Sequence, residues 1–269
     1  MERELHLTVD LGNGSAKLAL WAVGERQPRG RLVYPTDSPP SAAELVRDLE
    51  RADLPRPQVI HVCSVAGEKV LSRWEQTALG LAGADLRLAP DPGLAIECRS
   101  QHTIGRDRLF AAQGAAGLLG QSCVVLDAGT ALTVDAVVQG GAAQAKTAPN
   151  DTARFLGGAI APGPELLAKS LADAGAQLWR VALEPDVPAL GRESEAAMRA
   201  GCVVGFRGAA FELARRVGIE AGIPEAPRVL CGGAARFLLE PEPFWPDGVV
   251  HEPDLVHLGL LAAAGLPLK

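Results

Sequence analysis

VDLGNGSAK, residues 9–17, lies between the apolar runs HLTV and KLALWAV, and how it is read decides the fold. Strands avoid Asp, Gly and Asn, so Asp10-Leu11-Gly12-Asn13-Gly14 is a turn joining two strands. A hairpin accounts for that much. Residues 123–138, CVVLDAGTALTVDAVV, repeat the pattern, with Asp10, Gly12 and Asn13 answered by Asp127, Gly129 and Thr130 at a constant spacing of 117 positions. Self-similarity at nearly half the chain length predicts two lobes of related fold, each opening with a hairpin.

Such a turn has specific chemistry. Glycine lets the backbone approach a ligand and adopt positive φ, so successive N–H groups can converge on one anion, while an aspartate at the strand's end can hold a cation or its water beside that anion. Two such hairpins can grip a polyphosphate. Either alone is accounted for by a purely structural turn; the matched pair argues for the ligand.

Composition narrows the classes. The chain has 269 residues, 48% of them hydrophobic and 22% charged, which suits a soluble globular α/β protein of two lobes. Lys and Arg number 26 against 32 Asp and Glu, a net charge of −6 without the basic clusters that a nucleic-acid groove or a membrane patch needs. MERELHLTVD lacks the basic and apolar regions of a signal peptide. The apolar stretch 259–266 is short of the roughly 20 residues of a spanning helix. Cysteines 63, 98, 123, 202 and 231 are odd in number, scattered and without a CxxC pair, so a reducing, cytoplasmic setting is expected. Histidines 6, 61, 102, 251 and 257 show no metal-ligand spacing and are read as packing residues.

Periodicity predicts helices at 41–52, 69–81, 164–178 and 194–218 and a buried strand at 59–65. Pro-rich VYPTDSPP (33–40) and polar 140–154 read as loops, and Gly157, Gly158, Pro162 and Gly163 as loop-shaping residues. RVLCGGAARFL (228–238) reads as strand, Gly-Gly turn and helix start, and 249–265 as a short strand followed by a helix. The expected boundary divides the chain into lobes 1–117 and 118–269.

The paired hairpins and the later GG turn resemble the acetate and sugar kinase/Hsp70/actin superfold, whose duplicated ribonuclease-H-like lobes imply ATP in the cleft between them. Two further stretches narrow the resemblance. TIGRDRLFAAQGAAG (103–117) is similar to the G-x-D-R helix start of type III pantothenate kinases, and FLGGAIAPGPELLAKSLADAGAQL (155–178) to their GGxIxPG segment. The resemblance implies ATP-dependent phosphorylation of pantothenate to 4'-phosphopantothenate, the first step of coenzyme A biosynthesis, by a homodimer using Mg2+ and potassium or ammonium.

Carried over residue by residue, it implies a first phosphate loop at Asp10, Leu11, Gly12, Asn13, Gly14, Ser15, Ala16 and Lys17. Thr130 would contact the ATP phosphates, Gly232 and Gly233 would lie near the adenosine, and Asp127 would hold the monovalent cation. Pantothenate would meet Cys98, Gly105, Arg106, Asp107, Arg108 and Ser194, with Asp107 as general base. A lone aspartate at a helix start is equally a cap stabilised by the macrodipole. Planar guanidinium groups suit the pantothenate carboxylate.

The chain departs from the family pattern around the pantothenate side and the dimer-facing helices. Arg106 stands where the family usually has alanine, Cys98 where it has tyrosine, Ser194 where it has threonine, and Gly175 and Trp179 replace threonine and proline. These changes leave the charged groups of phosphoryl transfer in place. Two rivals remain: a catalytically impaired accessory or regulatory protein that keeps the loops, and another enzyme of the superfold such as a sugar kinase or polyphosphate hydrolase. Arg106 disfavours a neutral sugar.

Overall fold

In LHLTVDL every residue is buried, because the strand is covered on both faces. Leu5, Leu7, Val9 and Leu11 enter one apolar cluster, while His6, Thr8 and Asp10 point to the opposite face. This strand belongs to a computed structural model that describes residues 3–81, 83–140, 152–242, 245 and 248–266. The elements run β1 (Leu5–Leu11), β2 (Ser15–Ala22), β3 (Gly30–Pro35), α1 (Ala42–Arg51), β4 (Val59–Ser64), α2 (Glu68–Leu79), β5 (Asp85–Leu88) and β6 (Ala95–Ile96). They continue with α3 (Arg106–Leu119), β7 (Cys123–Ala128), β8 (Ala131–Val138), β9 (Arg154–Pro162), α4 (Pro164–Ala174) and α5 (Ser194–Glu220). The last are β10 (Arg228–Cys231), α6 (Arg236–Leu239), β11 (Val250–His251) and α7 (Leu255–Ala263).

Two compact units result, one of residues 1–94, 102–117 and 255–269, the other of 95–101 and 118–254. The first holds a five-stranded sheet in the order β3-β2-β1-β4-β5. The second holds β11-β10-β7-β8-β9-β6, which repeats that order with β6 added at one edge. In each, the hairpin strands are antiparallel and the following two strands parallel. The expected duplication of an α/β lobe is therefore present in the connectivity itself.

In the first unit, Ser41 caps α1 through a capping box with Glu44, and Leu45 and Leu49, one turn apart, pack with Ile60, Val62 and Trp74. The opposite sheet face is covered by α7, whose Leu258 and Leu261 meet Ala19 and Trp21. α7 crosses α3 backbone to backbone: a Cβ on Gly259 would lie 1.9 Å from the Phe110 carbonyl oxygen, and one on Gly114 2.2 Å from that of Leu255. In the second unit, α5 buries Cys202, Val203, Phe206 and Ala210 against Val124, Leu126, Leu132 and Val134.

Several expectations are corrected. Residues 255–269 join the first unit rather than the second, because α7 completes the cover of β1 and β2, and 95–101 join the second, because β6 pairs with β9. Residues 33–35 form the end of β3 rather than a loop; Val33 and Tyr34 favour strand, and Pro35 is tolerated on an edge strand. Gly157, Gly158 and Pro162 lie in β9, not a loop: Gly158 sits opposite Asp135, where a Cβ would come within 1.8 Å of the Val134 carbonyl oxygen, and Gly157 (φ +97°) is at a bulge. α4 stops at Ala174 instead of 178, since Gly175 leaves the helical conformation. Of the expected loop 140–154, residues 141–151 lie outside the described residues.

Buried on the polar face of β1, His6 Nδ1 and His61 Nε2 are 2.9 Å apart and share one proton. Burial, then His6 and Arg87, push His61 down from 6.5 to about 4, against the opposing charges of Asp85 and Glu4. The fold thus prefers neutral His61, so its contribution is complete above pH 6.5 and is lost as pH falls from there toward 4, on the order of 3 kcal/mol. Thermal melts from pH 7 to 4.5 should show this fall, and His61→Gln should flatten it; an equally steep fall in the variant would assign the acid sensitivity elsewhere.

Candidate active site

Strand register places the first set of predicted residues. Asp10 on β1 is directly opposite Lys17 on β2 and beside Cys63 on β4, so the three side chains share a face. Leu11 and Ala16, fully buried, point the other way into the core and can contribute only backbone to a phosphate loop. The Gly12 N–H donates to the Ser15 carbonyl at 3.2 Å, leaving Asn13 and Gly14 exposed at the tip. Asp10 is 6% exposed and Lys17 half-buried.

Asp107 stands in the first turn of α3, half-buried, where its Oδ1 accepts the Arg108 N–H at 2.8 Å. Burial raises its pKa above the ordinary carboxylate value, against the lowering effects of that hydrogen bond, the Arg108 charge and Lys17. The Cys63 thiol is pushed up by burial and then by Asp10 and Asp107, with Arg106 opposing. Cys63 therefore feels both carboxylates, and Asp107 feels Lys17. One unit thus gathers a cation, two carboxylates and a protonated thiol around the ends of β1, β2 and β4.

Gly105 is the space that Asp107 occupies: a Cβ there would lie 2.4 Å from Asp107 Oδ1. Arg106 is committed elsewhere. Its guanidinium donates to the Ala89 and Pro90 carbonyls at 2.8 and 2.6 Å, lies 3.3 Å from Asp91 Oδ1, and stacks 5.3 Å from the centre of the Phe110 ring. It ties segment 89–91 to α3.

The second unit builds a related turn with different chemistry. Asp127 on β7 is beside Cys231 on β10, as Asp10 is beside Cys63, but its partner on β8 is Thr133 where the first hairpin has Lys17. Gly232 (φ +91°) closes over it: a Cβ would lie 2.3 Å from both Asp127 Oδ1 and the Ala128 carbonyl oxygen. Gly163 approaches from the end of β9, where a Cβ would meet the Gly129 carbonyl oxygen at 2.2 Å. Thr130 and Gly233 are exposed. Thus Asp127, Thr130, Gly232 and Gly233 come together around one turn. Cys98 instead lies against β9, its Sγ 3.1 Å from where a Gly157 Cβ would be, and Ser194 is exposed at the first residue of α5.

The sequence reading passed over Cys63, although the C-terminal end of a central parallel strand is where α/β sheets carry ligands. It also gave Gly163 a shaping role only, since a contact with a turn more than thirty positions earlier has no local signature.

The family model described as type III pantothenate kinase matches residues 6–216. A protein named "Type III pantothenate kinase" from Thermus thermophilus is 34% identical over 263 residues, covering 95% of this chain and 96% of that one. The protein of the same name from Thermomicrobium roseum is 29% identical over 266 residues, covering 96% and 95%. Among solved structures, "Reductive activator for corrinoid,iron-sulfur protein" superposes with a TM-score of 0.51 at 10% identity, with 99% of this chain and 61% of that one covered. The chain spans less than two thirds of that structure's length, and the likeness is one of fold.

Gly105→Ala should force the Asp107 carboxylate to turn away. The expected outcome is a loss of about 10- to 100-fold in phosphoryl-transfer kcat with the melting temperature nearly unchanged. An unaltered kcat would show that this orientation is not the reactive one.

Proposed function

The chain belongs to the type III pantothenate kinase family, and from that premise we propose that it transfers the γ-phosphoryl group of ATP to the terminal hydroxyl of pantothenate, the opening step of coenzyme A biosynthesis. The observation that carries this reading is the half-buried Asp107 carboxylate, with its raised pKa, in the electrostatic reach of Lys17. Phosphoryl transfer asks for a carboxylate to accept the hydroxyl proton and for cations and N–H groups around the phosphates. Asp107 takes the proton as the hydroxyl oxygen bonds to phosphorus and the bond to the ADP oxygen breaks. Asp10 through Lys17 form the first phosphate loop, Thr130 contacts phosphate, and Gly232 with Gly233 lie near the adenosine. Gly105, Cys98, Ser194 and Arg108 serve the pantothenate side, a planar guanidinium suiting the carboxylate, while Arg106 is committed to 89–91.

A monovalent cation, potassium or ammonium, belongs to the proposal: Asp127, at the end of β7 beside the DAGT turn, would hold it, and its charge would offset that of the phosphates. Among the described residues no three His, Cys, Asp or Glu side chains converge as metal ligands, and a magnesium ion held mainly by phosphates and water needs no such cage. A homodimer goes with the proposal: Gly201, Val204, Gly205 and Gly208 form an exposed small-residue stripe on α5 that admits close helix packing. So does a cytoplasmic setting; among the described residues no helix is long and apolar enough to cross a membrane. Both named relatives carry the kinase name, which gives the accessory-protein reading no support.

ADP release from Mg-ATP in potassium buffer should depend on pantothenate, and Asp107→Asn should lower kcat by about 100-fold or more while ATP still binds. Normal turnover in that variant would remove Asp107 as the base, and pantothenate-independent release would remove the substrate. Replacing potassium by sodium should collapse the rate, with recovery in potassium or ammonium; equal rates in sodium and potassium would take the cation from Asp127.

A further inference from the structure

The exposed turn at Gly12–Gly14 has a support that none of the roles above includes. Thr36, 4% exposed and just past the end of β3, donates its Oγ1 hydrogen to the Gly12 carbonyl oxygen at 2.8 Å. The peptide joining Gly12 to Asn13 is trans and planar, so its C=O and N–H point in opposite directions. Holding the Gly12 oxygen inward therefore aims the Asn13 N–H outward, toward the exposed side of the turn.

Thr36 is itself held. Trp74 Nε1 on α2 donates to the Thr36 carbonyl oxygen at 2.8 Å, and the neighbouring Arg73 Nη1 and Thr77 Oγ1 donate to the carbonyls of Asp37 and Pro40 at 2.8 and 2.6 Å. Positions 73, 74 and 77 fall on one side of the helix, so α2 grips the whole connection 36–40. Trp74 is locked in turn by burial and by the edge of Tyr34, whose hydroxyl donates to Asp48 Oδ2 at 2.8 Å. A rigid path thus runs from the helical layer to one peptide plane of the turn.

We propose that Thr36 is a positioning residue for ATP: its hydroxyl, anchored through Trp74, orients the Gly12–Asn13 peptide so that the Asn13 N–H is set for a phosphate oxygen before the nucleotide arrives. The proposal rests on reading residues 10–17 as the phosphate loop of a kinase. Without the hydroxyl, the Gly12 carbonyl loses its tether and the peptide can rotate, so nucleotide binding must reimpose the orientation each time. Pantothenate, which does not meet this peptide, is unaffected.

The test is steady-state kinetics on Thr36→Val, which keeps the side-chain shape, alongside Thr36→Ser and Trp74→Phe, with melting temperatures measured for each. Thr36→Val should raise the KM for ATP about 3- to 10-fold, the weight of one hydrogen bond, while the KM for pantothenate stays within about twofold. Thr36→Ser should restore the ATP value, and Trp74→Phe should shift it in the same direction by less. A purely structural threonine would lower the melting temperature and the active fraction without splitting the two KM values. An unchanged KM for ATP in folded Thr36→Val, no rescue by serine, or equal shifts for both substrates would overturn the proposal; if the valine variant does not fold, an unchanged KM in Trp74→Phe does so. Should the wild-type protein fail to phosphorylate pantothenate, the functional reading falls, and ATP affinity measured by calorimetry on the same variants still decides the role of Thr36.

Discussion

Two glycines facing two carbonyls set the geometry of the first unit. Gly259 of α7 meets the backbone at Phe110 of α3, and Gly114 of α3 meets the backbone at Leu255 of α7, each at a distance that leaves no room for a side chain. α7 also packs on the sheet through Leu258 and Leu261 against Ala19 and Trp21. The helix that carries Asp107 is therefore seated on a helix that is itself seated on the hairpin carrying Asp10 and Lys17. Catalytic groups need to be held within a fraction of an ångström, and backbone contact without intervening rotamers is the stiffest way to do it.

The same economy of side chains recurs in the second unit, where Gly163 and Gly232 close on the DAGT turn. Here, though, the duplicated scaffold has diverged. Lys17 and Thr133 occupy equivalent positions opposite the two aspartates, and the second hairpin is shorter by one residue between aspartate and partner. Across from Asp10 stands a cationic side chain and across from Asp127 a hydroxyl, so the two carboxylates sit in unlike electrostatic surroundings. The duplicated turns share a backbone plan and differ both in the residue opposite the aspartate and in loop length.

Arg106 shows how a residue that departs from a family pattern can take a structural post. Its donors go to Ala89, Pro90 and Asp91 and its plane lies over Phe110, all contacts that an alanine could not make. It fastens the start of α3 to the segment leaving β5. Its guanidinium is thereby spent within the fold, and Arg106 no longer supports the argument for an anionic substrate.

By itself the sequence determined the hairpins, the duplication, most helices and the family, because turn chemistry and periodicity are local and because motifs such as DLGN, DAGT and GRDR keep their spacing along the chain. Asp10, Lys17, Asp107 and Asp127 stand out as candidates for that reason. Only the tertiary structure decided that residues 255–269 belong with the first unit, that Gly157 and Gly158 lie in a strand, that Cys63 stands by two carboxylates, and that Thr36 holds the turn. Each of these depends on residues brought together from 21 positions apart (Ala136 and Gly157) to 240 (Trp21 and Leu261). Sequence patterns record what a residue needs from its neighbours in the chain, whereas hydrogen bonds, close backbone approaches and burial are set by neighbours in space.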